Sequence, residues 1–256
     1  MAKLTVFIPC YNEEGSIRQT VEKLDKALCK VMGDEDYSFW LFDNASKDGT
    51  FLEMVDMAIH DDRIRIFRCE KKGKGNVFRA FMEAYDEEKH SEYDLILMTD
   101  GDDTYGFEDI PSYKWLTAKC LWTGNRIGYT SDKGYHRFGN RLIRWLFKRF
   151  YGADYDIFSG LKIFKWGFLK DFKLKDDRFG LETELAFYAF DKGVRSGMFP
   201  SQYEDRKTGE SKIRVRDGVK VLWIFTKRFV HDYGTKLSLL FCAPLVISAW
   251  RKKKCR

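Results

Sequence analysis

Asp100, Asp102 and Asp103 crowd the end of an apolar run, Leu95, Ile96, Leu97 and Met98, in the stretch LILMTDGDDT over residues 95–104. A buried strand that empties carboxylates at its carboxyl end predicts a hard divalent cation there. Ligands of open α/β sheets bind at that edge, and oxygen donors suit Mg2+ or Mn2+. Such a cation seeks a phosphate partner. The alternative for the same residues is a solvated turn, since Asp and Gly are ordinary turn formers. Two more polar loops follow apolar runs, PCYNEE over 9–14 and DNASKDGT over 43–50, and KKGKGN spans 71–76. This last segment has neither dinucleotide-binding nor P-loop spacing, so neither a dinucleotide nor an ATP site is indicated.

These loops need a frame, and the first hundred residues supply one. Residues 4–8 read as a strand, after which Ile17, Val21, Leu24, Leu28 and Val31 recur at three- and four-residue steps, as one face of a helix does. Strands are expected at 37–43, 63–69 and 95–98, and helices at 50–60 and around Phe78, Phe81, Met82 and Tyr85. Repeated strand–helix units imply an α/β fold with a Rossmann-like, mainly parallel central sheet flanked by helices. In a parallel sheet the three polar loops open at one edge. No internal repeat or low-complexity segment interrupts the pattern.

Composition narrows the function classes. With 256 residues, 44% hydrophobic and 16% aromatic, the chain can bury a core as one domain, or as one domain with an appendage, which excludes disorder. Six cysteines, at 10, 29, 69, 120, 242 and 255, form no C-x-x-C pair, so neither a zinc cluster nor a disulfide scaffold is indicated and a reducing cytosol fits. Met1, Ala2 and Lys3 run straight into the first strand with no signal-peptide cleavage region, so a cytoplasmic chain is expected. The net charge of +6 balances 45 basic against 39 acidic residues and does not predict a nucleic-acid partner. The basic tail over 251–256 follows an uncharged apolar stretch, 237–250, that is shorter than the ~20 residues a spanning helix needs. A shallow position at a membrane surface is expected, with the tail on anionic lipid.

The order P-x-Y-N-E, D-N-x-S-x-D-G-T, G-K-G and D-x-D resembles the family 2 glycosyltransferases of the GT-A fold. Matching blocks continue to about residue 218: GNR at 124–126, RFGN at 137–140, DIFSGLK at 156–162, ETE at 182–184, RKTGESK at 206–212 and RDG at 216–218. Within the family the chain looks closest to dolichol-phosphate mannose synthase and bacterial polyprenyl-phosphate glycosyltransferases. The resemblance implies a UDP- or GDP-linked sugar donor, with Pro9, Tyr11, Glu13, Asp43 and Asn44 around its base and ribose. It further implies that Asp100, Gly101, Asp102 and Thr104 meet the rest of the donor. Asp102 is then the principal ligand of Mg2+ or Mn2+, with Asp100 and Thr104 beside it. Asn44 stands where many relatives have Asp, and Thr104 where mannose synthases often have Gln. Arg206 and Lys212 fall on a loop over the donor diphosphate, and with Asp102 are the residues expected to drive catalysis. Arg126, Arg137 and Ser159 are assigned to the acceptor phosphate.

The expected reaction is inverting, metal-dependent transfer of a hexose to a polyprenyl or dolichyl phosphate at the cytoplasmic face of a membrane. A divalent ion and cationic side chains stabilise the leaving diphosphate, and a phosphate acceptor, already ionised, needs positioning more than a base. Two alternatives stand. One is a hydroxyl acceptor in cell-surface glycan synthesis, with Asp156, Glu182 or Glu184 as base; the other is a non-catalytic, nucleotide-dependent membrane adaptor. Residues 1–218 are expected to form the GT-A domain and 219–256 an amphipathic and apolar membrane-associating segment. In the latter, Val219, Leu222, Trp223, Phe229, Val230 and Tyr233 make an apolar face beside Lys220, Lys227 and Arg228. That segment otherwise completes the core or joins a homo-oligomer, and the aromatic stretch 138–151 faces either lipid or core.

Overall fold

The computed structural model describes residues 3–33, 36–127, 134–152, 155–177, 180–194, 196–204 and 218–234, with α5 side chains described from Arg141 onward. The elements run β1 (Leu4–Cys10), α1 (Ile17–Met32), β2 (Tyr37–Asp43), α2 (Thr50–His60), β3 (Ile64–Arg68), α3 (Lys74–Asp86) and β4 (Leu95–Met98). Then follow α4 (Tyr113–Leu116), β5 (Leu121–Ile127), α5 (Gly134–Tyr151), β6 (Lys162–Lys165), α6 (Trp166–Leu169), α7 (Leu181–Asp191) and β7 (Gly197–Gln202). The strands form one seven-stranded sheet in the order β3-β2-β1-β4-β6-β5-β7. β1 to β4 are mutually parallel where they pair, β5 and β7 are parallel, and β6 alone runs antiparallel to both neighbours.

The sheet is covered on both faces, which is why β1 and β4 read as continuous apolar runs. On one face Val6 and Ile8 of β1 pack with Ile17, Val21, Leu24 and Leu28 of α1 and Met54 and Met57 of α2. On the other, Phe7 meets Phe78, Phe81 and Tyr85 of α3 in a core that also takes in Phe164, Leu181 and Leu185; the Phe7 and Phe81 rings stack at 4.4 Å. The buried face of α1 ends on Met32, with Val31 only partly covered. In α5, Ile143, Phe147 and Tyr151, four residues apart, are buried as the core reading expects, while Leu142 and Trp145 are exposed.

Chain direction makes the site. From β1 the chain winds outward through β2 to β3, then returns past β1 to β4. The crevice outside the carboxyl ends of β1 and β4 is therefore the topological switch point where open α/β sheets bind ligands. The loops after β1, β2 and β4 all open there, as a parallel sheet requires. The chain divides into two compact units, Met1–Arg214 and Val215–Arg256. In the second, residues 218–234 are helical. Of the expected apolar face, Val219, Leu222, Trp223 and Val230 are exposed and Phe229 and Tyr233 half-buried; Val221 and Phe225, outside that face, are buried. Among the described residues no helix is long and apolar enough to cross a membrane.

Candidate active site

The first two loops are interlocked. Asn12 N–H donates to Ser46 Oγ at 3.0 Å, Lys47 N–H to Asn12 Oδ1 at 2.8 Å, and Glu13 N–H to Thr50 Oγ1 at 2.7 Å. Gly49 N–H in turn donates to Glu14 Oε2 at 2.8 Å, and Asn44 N–H to the Cys10 carbonyl at 2.7 Å. Much of the P-x-Y-N-E and D-N-x-S-x-D-G-T signatures therefore holds loop to loop, with Asn12 and Ala45 in the left-handed region at φ 52° and 56°. Pro9 lies in β1 opposite Phe42. Tyr11 is half-buried under the Lys72 ammonium, 5.2 Å from its ring centroid, and Glu13 is buried.

Asp43 and Asn44 close β2. Asp43 is fully buried; its Oδ1 accepts the Ser46 N–H at 3.1 Å, while Oδ2 has no hydrogen-bond donor among the described residues, Arg68 Nε standing 3.8 Å off. Asn44 spends its amide on the Gly-rich loop: Nδ2 donates to the Lys71 carbonyl at 2.8 Å and Oδ1 accepts the Gly73 N–H at 2.7 Å. The amide thus shapes the loop that leads into α3. A substitution of Asp by Asn suits that task, because one side of the contact is a carbonyl that needs a donor.

The acidic turn divides its three carboxylates. Asp103, at φ 55°, turns away from the crevice: its N–H donates to Thr20 Oγ1 at 3.0 Å and its carboxylate pairs with Lys23 Nζ at 2.6 Å, both on α1. Asp102 is buried, and its Oδ1 accepts the Thr104 hydroxyl at 2.6 Å. Thr104 thereby helps to orient Asp102. Gly101 packs where a Cβ would press at 3.3 Å on Ile8, Cys10 and Ile17, which keeps the turn close to β1. Asp100 is more open, and its Oδ1 accepts from Lys74 Nζ at 2.7 Å. Asp100 and Asp102 are all-oxygen donors suited to a hard divalent cation.

Behind the turn lies a tier of charge in which Arg126, Asp156 and Glu182, named from the sequence, are joined by Lys74 and Lys162, to which the motifs gave no role. Lys74 at the start of α3 also donates to Glu182 Oε1 of α7 at 2.7 Å. Burial opposes its charge, but the Asp100 and Glu182 carboxylates outweigh that and hold its pKa above the usual lysine value. Arg126 at the end of β5 grips Asp156 with two bonds, Nε to Oδ2 at 2.7 Å and Nη2 to Oδ1 at 3.2 Å. Asp156 is held below the usual carboxylate range: burial raises its pKa, and the Arg126 charge and hydrogen bonds overcome it. Ser159 is fully buried in its own turn, where its Oγ accepts the Leu161 N–H at 3.2 Å. Lys162 is buried as well. A lysine inside the apolar run from Leu161 to Phe164 was the available sequence signal for it. Arg206 and Lys212 lie outside the described residues, as does the side chain of Arg137.

This crevice, with its acidic turn at a GT-A switch point, agrees with the sequence comparisons: residues 5–154 match the family described as Glycosyl transferase family 2. The chain belongs to that family. It is 28% identical over 224 residues to Glycosyltransferase AglJ of Haloferax volcanii, covering 83% of this chain and 67% of that protein. It is 34% identical over 113 residues to Protein RfbJ of Shigella flexneri, covering 42% of this chain and 70% of that one. The transferase also shares its fold with glucosyl-3-phosphoglycerate synthase from Mycobacterium tuberculosis in complex with Mn2+ and UDP-glucose. There the TM-score is 0.66 at 15% identity, over 89% of this chain and 79% of the other. At that identity the likeness concerns the fold alone. The chain is thus a glycosyltransferase of GT-A architecture.

Proposed function

We propose that this transferase moves a hexose, with inversion, from a UDP- or GDP-linked donor to a polyprenyl or dolichyl phosphate at the cytoplasmic face of a membrane. The observation that carries the reading is the engagement of the three carboxylates a hydroxyl acceptor would use as bases. Asp156 is gripped by Arg126, Glu182 accepts from Lys74, and the two oxygens of Glu184 accept the N–H groups of Lys175 and Asp176, each at 2.9 Å. A general base must point a lone pair at the proton it takes. An ionised phosphate needs no such base, only positioning and partial neutralisation.

At the donor end, the undonated Asp43 Oδ2 suits the ring N–H that uracil and guanine carry and that adenine and cytosine lack. Asp100 and Asp102 would hold Mg2+ or Mn2+, which supplies Lewis-acid stabilisation of the leaving diphosphate when bound. Among the described residues no group of three or more His, Cys, Asp or Glu side chains forms a metal cage, so donor phosphate oxygens would complete the shell. The fold neighbour that contains Mn2+ with UDP-glucose supports this reading. Arg206 and Lys212 add cationic stabilisation of the diphosphate, and Arg126 and Arg137 that of the acceptor.

The outward face of α5 supports a membrane-borne acceptor. Trp145 is 57% exposed among the exposed cations Arg141, Arg144, Lys148 and Arg149, and the helix carries no acidic residue. Basic side chains around an exposed Trp suit anionic lipid headgroups. Product analysis tests the proposal. Full-length protein with UDP-glucose or GDP-mannose, Mn2+ and dolichyl phosphate in anionic vesicles should yield an acid-labile glycosyl phospholipid. Trp145→Ala combined with Lys148→Ala should weaken vesicle binding about tenfold, more at low salt than at high. Transfer to hydroxyl glycans alone would reject the lipid-phosphate acceptor.

A further inference from the structure

Lys162 opens β6 at the site edge of the sheet, paired with Met98 at the carboxyl end of β4 and with Thr123 of β5. Successive side chains of a strand alternate between faces. Ile163 packs into the α1 and α2 side of the core and Phe164 into the α3 and α7 side, which puts Lys162 with Phe164. That face carries Lys74 on α3 and Glu182 on α7. Lys162 is 2% exposed, and its Nζ has no hydrogen-bond partner among the described residues. Its electrostatic neighbours are the carboxylates of Asp156 and Glu182, which attract it, and the cations Arg126 and Lys74, which repel it.

The charges therefore alternate in sign from the partly exposed Asp100 inward through Lys74, Glu182, Lys162, Asp156 and Arg126. Every link is a hydrogen-bonded ion pair except the two made by Lys162. An unbonded buried ammonium is unfavourable for folding, and an apolar side chain of similar volume would serve the core better. Its placement between two carboxylates of an active-site crevice gives it a different task. We propose that Lys162 is a positioning residue for glycosyl transfer: its ammonium joins the donor-side pair Lys74–Glu182 to the acceptor-side pair Arg126–Asp156 and holds both carboxylates in place. The charges that face this group are Lys74 from α3, Glu182 from α7, Arg126 from β5 and Asp156 from the loop before β6, with Arg144 of α5 beyond Asp156.

The acceptor end of this ladder is named on the lipid-phosphate reading, so the test keeps the two apart. Lys162→Met, Lys162→Gln and Lys162→Arg are compared with wild type in thermal unfolding, in nucleoside diphosphate release into water from UDP-glucose and GDP-mannose, and in transfer to dolichyl phosphate. Lys162→Met should melt at or above the wild-type temperature while turnover falls at least about tenfold. The acid limb of its pH profile should move to higher pH, because Asp156 loses a cation that lowers its pKa. Lys162→Gln should behave likewise, and Lys162→Arg should bring the acid limb back toward wild type. Wild-type turnover with an unmoved limb in both neutral variants overturns the proposal. So does a turnover loss that follows a lowered melting temperature and is not relieved by Lys162→Arg. If wild type hydrolyses donor but never glycosylates dolichyl phosphate, only the acceptor reading fails, and Lys162 is judged on the hydrolysis.

Discussion

Thr104 Oγ1 donates to Asp102 Oδ1 across 2.6 Å, and the two side chains are 2% and 3% exposed. A buried carboxylate held by a neighbouring hydroxyl is a preorganised acceptor, because its orientation is set before a ligand arrives. Asp102→Asn should lower turnover by about a hundredfold or more with little change in melting temperature, because the amide keeps the shape and loses the charge. Thr104→Val should cost roughly tenfold, the loss of one hydrogen bond to a charged group. Mn2+ binding followed by electron paramagnetic resonance gives a readout besides turnover. Wild-type Mn2+ affinity and turnover in Asp102→Asn would remove this carboxylate from the site.

Gly160 and Gly75 separate chemistry from stability. A Cβ on Gly160 would collide with the Asp100 carboxylate, whereas one on Gly75 would collide with the backbone carbonyl of Asp176. A carboxylate can swing aside and backbone cannot. Gly160→Ala should therefore displace Asp100 from Lys74 and reduce turnover while the protein stays folded. Gly75→Ala should part α3 from the loop before α7 and destabilise by about 1–3 kcal/mol. Urea titration with parallel turnover assays checks both. Equal stability loss in the two variants would contradict this division.

Lys162 also leaves a signature in stability against pH. Burial presses its pKa down to about 8 from the ordinary 10.5, against the pull of Asp156 and Glu182. Below about pH 8 the folded and unfolded states both carry the proton and the whole unfavourable term is present. Between about pH 8 and 10.5 the unfolded chain holds a proton that the folded chain has released, so this group's contribution rises with pH. The full window is worth on the order of 3 kcal/mol. The stability difference between wild type and Lys162→Met, measured by urea unfolding at pH 7 and pH 10, should narrow at the higher pH. A difference independent of pH would show that the ammonium is not buried as described.

Local pattern determined the frame of this protein. The continuous apolar runs Leu4 to Ile8 and Leu95 to Met98 and the period-3.6 placement of Ile17 to Leu28 are written in neighbouring residues, and strand–helix alternation leaves few topologies besides a parallel sheet. The order of the polar motifs then placed Asp100 and Asp102 at one edge before any coordinates were needed. What the side chains do there depended on residues far away in the chain. The motif residues Asn12, Glu14 and Ser46 hold loops together because the first two loops happen to touch, and Asn44 serves a loop 27 residues on. Asp103 belongs to α1 because a left-handed backbone turns it there. Lys74 meets Glu182 across 108 residues, and only the insertion of β6 antiparallel beside β4 brings Lys162 to the edge from which Asp100 emerges. A sequence motif states which groups are near one another along the chain. Desolvation and charge pairing depend on distance in space, so the partners of the buried charges were decided by the tertiary fold alone.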